Sequence, residues 1–172
     1  MCVSSKPVCC YFDIDHFKPF NDSLGYSKGD EVILSLARQL CTVFNGDNEW
    51  VGHIGGDDFV VFSDRLDIRQ RCEEVQQLFT LEAAMRYPEA IRQAGFITGE
   101  DRDGLPRQFP LVALSVGIVV ADSREFGSAA DLAATAAVAK PKAKKAISGI
   151  QIVSNIPTLD GTSDEQKTVL LA

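Results

Sequence analysis

Four carboxylates in two short stretches are the residues best placed to do chemistry. Asp13 and Asp15 stand two apart in YFDIDHFK (Tyr11–Lys18), and Asp57 and Asp58 follow Gly55-Gly56 directly in WVGHIGGDDFVVF (Trp50–Phe62). On a strand, the period of two puts Asp13 and Asp15 on one face and Ile14 on the other. Should the two stretches be neighbours, three or four carboxylates gather round one point. Such a group repels itself unless cations lie between its members, and hard oxygen ligands select Mg²⁺, usually together with substrate phosphates. Turns ordinarily carry solvated charge, so the competing reading leaves Asp57 and Asp58 on the surface; the answering pair in the first stretch argues against it.

The elements that must position these groups follow from local pattern. Val51, Ile54, Val60, Val61 and Phe62 flank the Gly55-Gly56 pair, which predicts a hairpin with a tight turn at those glycines. Val8 to Ile14 is expected as the first strand, buried on both faces. His16 to Leu24 is then a turn and short helix, with Pro19 in the first turn, where its missing donor costs little. Phe17 and Lys18 stand at that helix start, where backbone N–H groups can cradle phosphate. Lys28-Gly29-Asp30 opens the longest helix, to about Phe44, with Ile33, Leu36, Ala37 and Leu40 inward and Arg38 and Gln39 opposite.

After the hairpin, Leu66 to Met85 is expected as a second long helix with Ile68, Cys72, Val75, Leu78 and Phe79 on its inner face. Ile91 to Thr98 is read as a strand, Gly99 to Pro110 as a charged surface hairpin loop, and Leu111 to Val120 as a central strand. Ser128 to Lys140 is an Ala-rich helix whose small face would lie close to the sheet, and Ile150 to Val153 is the last strand. Ser154 to Ala172 is read as a polar tail or linker.

With 172 residues, 45% of them apolar, the chain can bury the core of one compact domain. Its net charge of −7 argues against a general nucleic-acid or anionic-membrane binder, whose footprint would be basic. A nucleotide would therefore be held by local features and metal. The five cysteines (Cys2, Cys9, Cys10, Cys41, Cys72) are odd in number and lack C-x-x-C spacing, which suits reduced thiols in a cytoplasmic setting. Leu111 to Ala121, the longest apolar run, is too short to span a bilayer, and no signal segment opens the chain, so no direct membrane contact is expected.

Taken together, DIDHFKPFND, GYSKGDEVI and HIGGDDF resemble, in order and spacing, the GGDEF domain of diguanylate cyclases, enzymes that join two GTP molecules into cyclic di-GMP. The likeness runs from Tyr11 to Phe62 and resumes more weakly at LSVGIVV and in the helix ending at Lys140. It implies an α+β fold over residues 1–154, a mainly antiparallel central sheet flanked by helices and similar to the palm of polymerases and nucleotidyl cyclases. The helix and D-x-L-T-x-L-x-N-R segment that usually precede the first strand in the family are not found, which suggests a domain cut near its start, with 155–172 as tail.

The resemblance also implies roles. Asp13, the Ile14 carbonyl and Asp57 would hold a pair of Mg²⁺ (or Mn²⁺) ions, and Asp13, Lys18, Asp57 and Asp58 would form the catalytic set. Phe17, Lys18, Asn21, Asp30, Lys140 and Lys144 would contact GTP: Lys18 at the terminal phosphates, Asn21 and Asp30 at guanine, Lys140 and Lys144 at phosphate. A carboxylate such as Asp30 can accept from both N1–H and N2–H₂ of guanine, a pairing that adenine cannot supply. Each domain would hold one GTP, so a face-to-face homodimer is implied. The bland alternatives are a solvated lysine for Lys18, a cap or turn for Asn21-Asp22, and a helix-start carboxylate for Asp30. The lysines from Lys140 to Lys145 could equally be a solvated helix end that complements the dipole.

Several positions depart from the family pattern. Asp58 stands where glutamate is usual, one methylene shorter, and a displacement of about 1 Å can cost about a hundredfold in rate. His53 stands where active members commonly have arginine, exchanging a permanent cation for a group mostly neutral at pH 7. Lys144 replaces an arginine and loses its bidentate fork, and Pro141 disturbs the residue before it. Gly46-Asp47-Asn48-Glu49 lacks the arginine of the R-x-x-D product-inhibition site, so inhibition there is not expected. Two readings result: a diguanylate cyclase, or a catalytically weak GTP-binding domain that controls an attached sensory or EAL-type phosphodiesterase module, although no EAL-type sequence is present. A third, the ATP-cyclising GGDD palm of type III CRISPR effectors, is disfavoured by the D-I-D-x-F-K-x-x-N block.

Overall fold

The computed structural model describes residues 7–100, 103–120, 143–144 and 149–154. Its elements are β1 (Val8–Asp15), α1 (Phe17–Leu24), α2 (Tyr26–Val43), β2 (Trp50–Gly55), β3 (Asp58–Ser63), α3 (Ile68–Ala84), α4 (Glu89–Ala94), β4 (Phe96–Glu100), β5 (Pro106–Pro110), β6 (Ala113–Val120) and β7 (Ile150–Ser154). Five strands form one sheet in the order β2-β3-β1-β6-β7, and β4 and β5 form a separate ribbon. β1 is the middle strand. It pairs antiparallel with β3 and β6, β2 pairs antiparallel with β3, and β7 lies parallel to β6. The mainly antiparallel α+β expectation therefore holds.

β1 takes the centre because VCCYFDID is apolar on both faces until its end, and every residue but Asp15 is buried. Val8, Cys10, Phe12 and Ile14 project to one face, where they meet Phe59 and Val61 of β3 and Leu114, Val116 and Ile118 of β6. Against that face pack Val32, Leu36 and Leu40 of α2 and Cys72, Val75 and Phe79 of α3. Each such large apolar side chain, once buried, contributes about 1.5–3 kcal/mol. The two helices thus clamp the strand that carries Asp13 and Asp15.

Several elements differ from expectation. Gln39 is buried, together with Ser35, because both donate to Glu82 across the α2–α3 contact. Ile33 and Ala37 only flank the core, as Val32 and Leu36 point straight in. Leu78 is 40% exposed, since the inner stripe of α3 runs through Ile68, Cys72, Val75, Phe79 and Ala83. Ile91 belongs to α4 rather than a strand: Pro88 precedes it, Glu89 and Arg92 suit its two ends, and Gly95 closes it at φ 76°. The expected loop from Gly99 to Pro110 is half strand, as Gly99-Glu100 and Pro106–Pro110 pair in the ribbon. The hairpin turn is one residue later than expected, at Gly56-Asp57. Gly56 has φ 58°, Gly55 pairs with Asp58, and a bulge between His53 and Gly55 leaves Ile54 exposed.

Ser154 ends β7 rather than opening the tail. The expected helix from Ser128 to Lys140 lies outside the described residues. Cys9, Cys10, Cys41 and Cys72 are free thiols. Burial pushes Cys9 up to about 12, so it stays protonated at neutral pH.

Candidate active site

Register alone brings the two acidic stretches together. Asp13 on β1 lies opposite Asp58 on β3 and Ser115 on β6, a row across three strands on the face away from the α2–α3 core. Asp15, further along the same face, accepts a hydrogen bond from Ser115 Oγ. Asp13 is only 3% exposed, and an uncompensated carboxylate at that depth costs several kcal/mol. Lys144 supplies the compensation, its Nζ 2.7 Å from Asp13 Oδ2 and 3.2 Å from Asp15 Oδ1. Burial works against charge on Lys144, but the hydrogen bond and attraction of Asp13, with the weaker pull of Asp15, outweigh it and raise its pKa above the usual lysine value.

That ammonium acts as a stand-in for a cation and tests the site for metal. Hard carboxylate oxygens that already hold a positive group at salt-bridge distance suit Mg²⁺, which commonly takes one or two carboxylates and completes its shell with waters and phosphates. A ready cage is absent: among the described residues, no group of three or more His, Cys, Asp or Glu is arranged to hold a metal. The expected gathering of three or four carboxylates is thus replaced by Asp13 and Asp15 bridged through Lys144, with Asp13 aligned to Asp58. Asp57 is half-buried in the turn. His53 holds that turn from the other face: its Nε2 donates to the Gly56 carbonyl at 3.0 Å, and its ring stacks on Phe59 with centroids 4.4 Å apart.

α1 and α2 build a second cluster beside the strand end. His16 takes a left-handed conformation, φ 60°, and turns the chain from β1 into α1. Phe17 stacks on Phe20, with ring centroids 6.3 Å apart. Lys18 is exposed, and its Nζ lies 2.6 Å from Asp22 Oδ2; that hydrogen bond, then the Asp22 charge, raises its pKa. Asn21 Oδ1 is enclosed without a hydrogen-bond partner. It faces Gly29 on α2, where a Cβ would overlap it outright. Asp30 follows on the exposed side of α2. Lys140 lies outside the described residues.

Sequence reasoning passed over three contributors. Ser115 was one polar residue in an apolar strand, and its signal was its place in the alternation of LSVGIVV. Gly29 was visible only as part of a Lys-Gly-Asp run, because the approach of α1 to α2 is tertiary. Glu49 stands in the sequence only as the end of the Gly46-Asp47-Asn48-Glu49 stretch, with nothing local to mark its burial. Its side chain, 2% exposed, pairs with Arg71, accepts from Ser63 Oγ at 2.9 Å and from the Gly46 N–H at 2.8 Å. The loop before β2 is thereby fastened to α3, and Arg71 also lies 4.8 Å over the Phe44 ring.

Solved structures share this fold. The GGDEF domain of DgcB from Caulobacter crescentus, in complex with c-di-GMP, aligns with TM-score 0.58 and 20% identity over 87% of this chain and 78% of that one. An EAL/GGDEF domain protein from M. capsulatus aligns with TM-score 0.56 and 25% identity over 88% of this chain and 86% of that one. The architecture is that of a GGDEF domain. In sequence, the family described as diguanylate cyclase, GGDEF domain, matches residues 4–96, and the chain belongs to that family. A diguanylate cyclase of Vibrio cholerae is 34% identical over 78 residues, covering 43% of this chain and 24% of that protein. The chain thus spans about a quarter of that curated relative's length.

Proposed function

We propose that this domain is a diguanylate cyclase, which condenses two GTP into one cyclic di-GMP and two pyrophosphates. The observation that carries the reading is the alignment of buried Asp13 with Asp58 across β1 and β3, with a cation already seated on Asp13. Asp13, the Ile14 carbonyl and Asp57 would hold divalent metal, Mg²⁺ or Mn²⁺, which when bound supplies charge stabilisation to the reacting phosphate. Asn21 and Asp30 hold the guanine with Phe17 beside them, and Lys18 neutralises the departing pyrophosphate. Lys140 and Lys144 steady the phosphates. Each 3′-oxygen bonds to the α-phosphorus of the other GTP as the bond to pyrophosphate breaks, so two domains must face each other. GTP places the reaction in the cytoplasm; among the described residues no helix is long and apolar enough to cross a membrane.

A second reading rests on His53, which is engaged with the turn carbonyl and Phe59, and on the shortened Asp58. A domain so altered binds GTP but turns it over slowly, and acts on an attached module, such as an EAL phosphodiesterase. The likeness to an EAL/GGDEF domain protein supports that association. The deciding experiment incubates the protein with GTP and Mg²⁺, separates the nucleotides by chromatography, and measures GTP binding by calorimetry. Cyclic di-GMP is expected, and Asp57→Ala should abolish the metal-dependent binding. Binding without product would establish the regulatory reading; preference for ATP would overturn both.

A further inference from the structure

Gly29 sits in the first turn of α2 with ordinary helical dihedrals, so no turn or left-handed backbone demands a glycine there. A helical glycine is normally a cost relative to alanine. What it permits is contact. A Cβ at Gly29 would overlap Asn21 Oδ1, stand 2.9 Å from Asn21 Cγ and press on Phe17 Cζ at 3.2 Å. Asn21 Oδ1 is buried and without a partner, an arrangement that costs free energy and calls for an explanation. The two anomalies share one contact.

We propose that Gly29 is the positioning residue for base recognition: its missing Cβ lets Asn21 turn its amide oxygen against α2 and leave the amide nitrogen for a guanine, one residue from the Asp30 carboxylate. The inference rests on the cyclase reading above and adds the device that sets its selectivity. With the oxygen enclosed, the end of Asn21 available to a ligand is a donor, while Asp30 offers only acceptors. Side by side, guanine presents the acceptor O6 and the donors N1–H and N2–H₂, where adenine presents a donor at N6 and an unprotonated N1; the N7 acceptor is common to both. Donor beside acceptor thus matches guanine at both positions and opposes adenine at both. Sites built on such hydrogen bonds discriminate strongly, because the wrong base leaves polar groups unpaired.

The test is a double-mutant cycle of Gly29→Ala and Asn21→Ala, read by calorimetric binding of GTP and ATP with Mg²⁺ and by thermal melting without nucleotide. In the wild type, GTP should bind at least about tenfold more tightly than ATP. Gly29→Ala should erase that preference to the level of Asn21→Ala, and adding it to Asn21→Ala should change selectivity no further. Melting reports the contact itself: Gly29→Ala should lower the midpoint when Asn21 is present. In the Asn21→Ala background most of that loss should disappear, since what remains is the milder press on Phe17 Cζ, offset by the gain in helix propensity. Gly29→Ala with selectivity intact, or additive losses in the double variant, would overturn the proposal. So would a double variant that melts far below Asn21→Ala alone, a comparison that survives even if Gly29→Ala by itself cannot fold. A wild type that ignores GTP would instead defeat the cyclase reading on which the proposal stands.

Discussion

Lys144 occupies two roles that a sequence cannot separate. By resemblance it belongs with the phosphates, while its ammonium is found on Asp13 and Asp15. Removing a partner from a fully buried ion pair costs about 3–5 kcal/mol; the Lys144 side chain is 42% exposed, so about 1–2 kcal/mol is expected for Lys144→Met. Urea unfolding without divalent metal should show that loss. Adding Mg²⁺ should then stabilise the variant more than the wild type, because Asp13 lacks its internal cation. Equal stability of the two proteins in the absence of metal would remove Lys144 from the electrostatics of the site. The acidic residues themselves were legible from two spacings, D-x-D and G-G-D-D, since strand periodicity and turn chemistry act locally. Their partner Ser115 was not, because register between β1 and β6 joins positions a hundred residues apart.

At the scale of elements, the hairpin is fixed from outside as well as by its own turn. Glu49, just before β2, is fastened by Arg71 of α3, and both are largely buried, at 2% and 14% side-chain exposure. Arg71→Met should therefore strand a buried carboxylate and cost about 3–5 kcal/mol, seen as a clear drop in the denaturation midpoint. Glu49→Gln in that background should recover much of it, since a neutral amide tolerates burial better than an unpaired charge. A midpoint unmoved by Arg71→Met would show the loop to be held by Ser63 and the backbone alone. The long helices and the core strands were legible because their periodicity is strong. α4 departs from the strand expected at Ile91, because the apolar residues there form only a short run, whereas Pro88, Glu89 and Gly95 carry the helix signals. Gln39 was misplaced for a different reason, since the α2–α3 seam contains a polar network around Glu82 that no hydrophobic pattern reveals.

For the molecule as a whole, the α+β class and the burial of β1 on both faces followed from the sequence, whereas the parallel pairing of β7 with β6 is a matter of strand direction that periodicity does not specify. The same view of the whole sets the kinetic order expected of the reaction. On the cyclase reading, the Asn21–Gly29 contact between α1 and α2 and the carboxylate row on β1 and β3 would, among the described residues, serve a single nucleotide. Cyclic di-GMP contains two guanines and two new phosphodiester bonds, so under the proposed function a lone domain would lack half of what the product requires. Below the concentration at which domains pair, cyclic di-GMP formed per protomer should rise in proportion to protein concentration, and it should level off once sedimentation shows dimers. Specific activity that stays constant while sedimentation reports only monomers would require both nucleotides to sit on one domain, and would end the face-to-face reading.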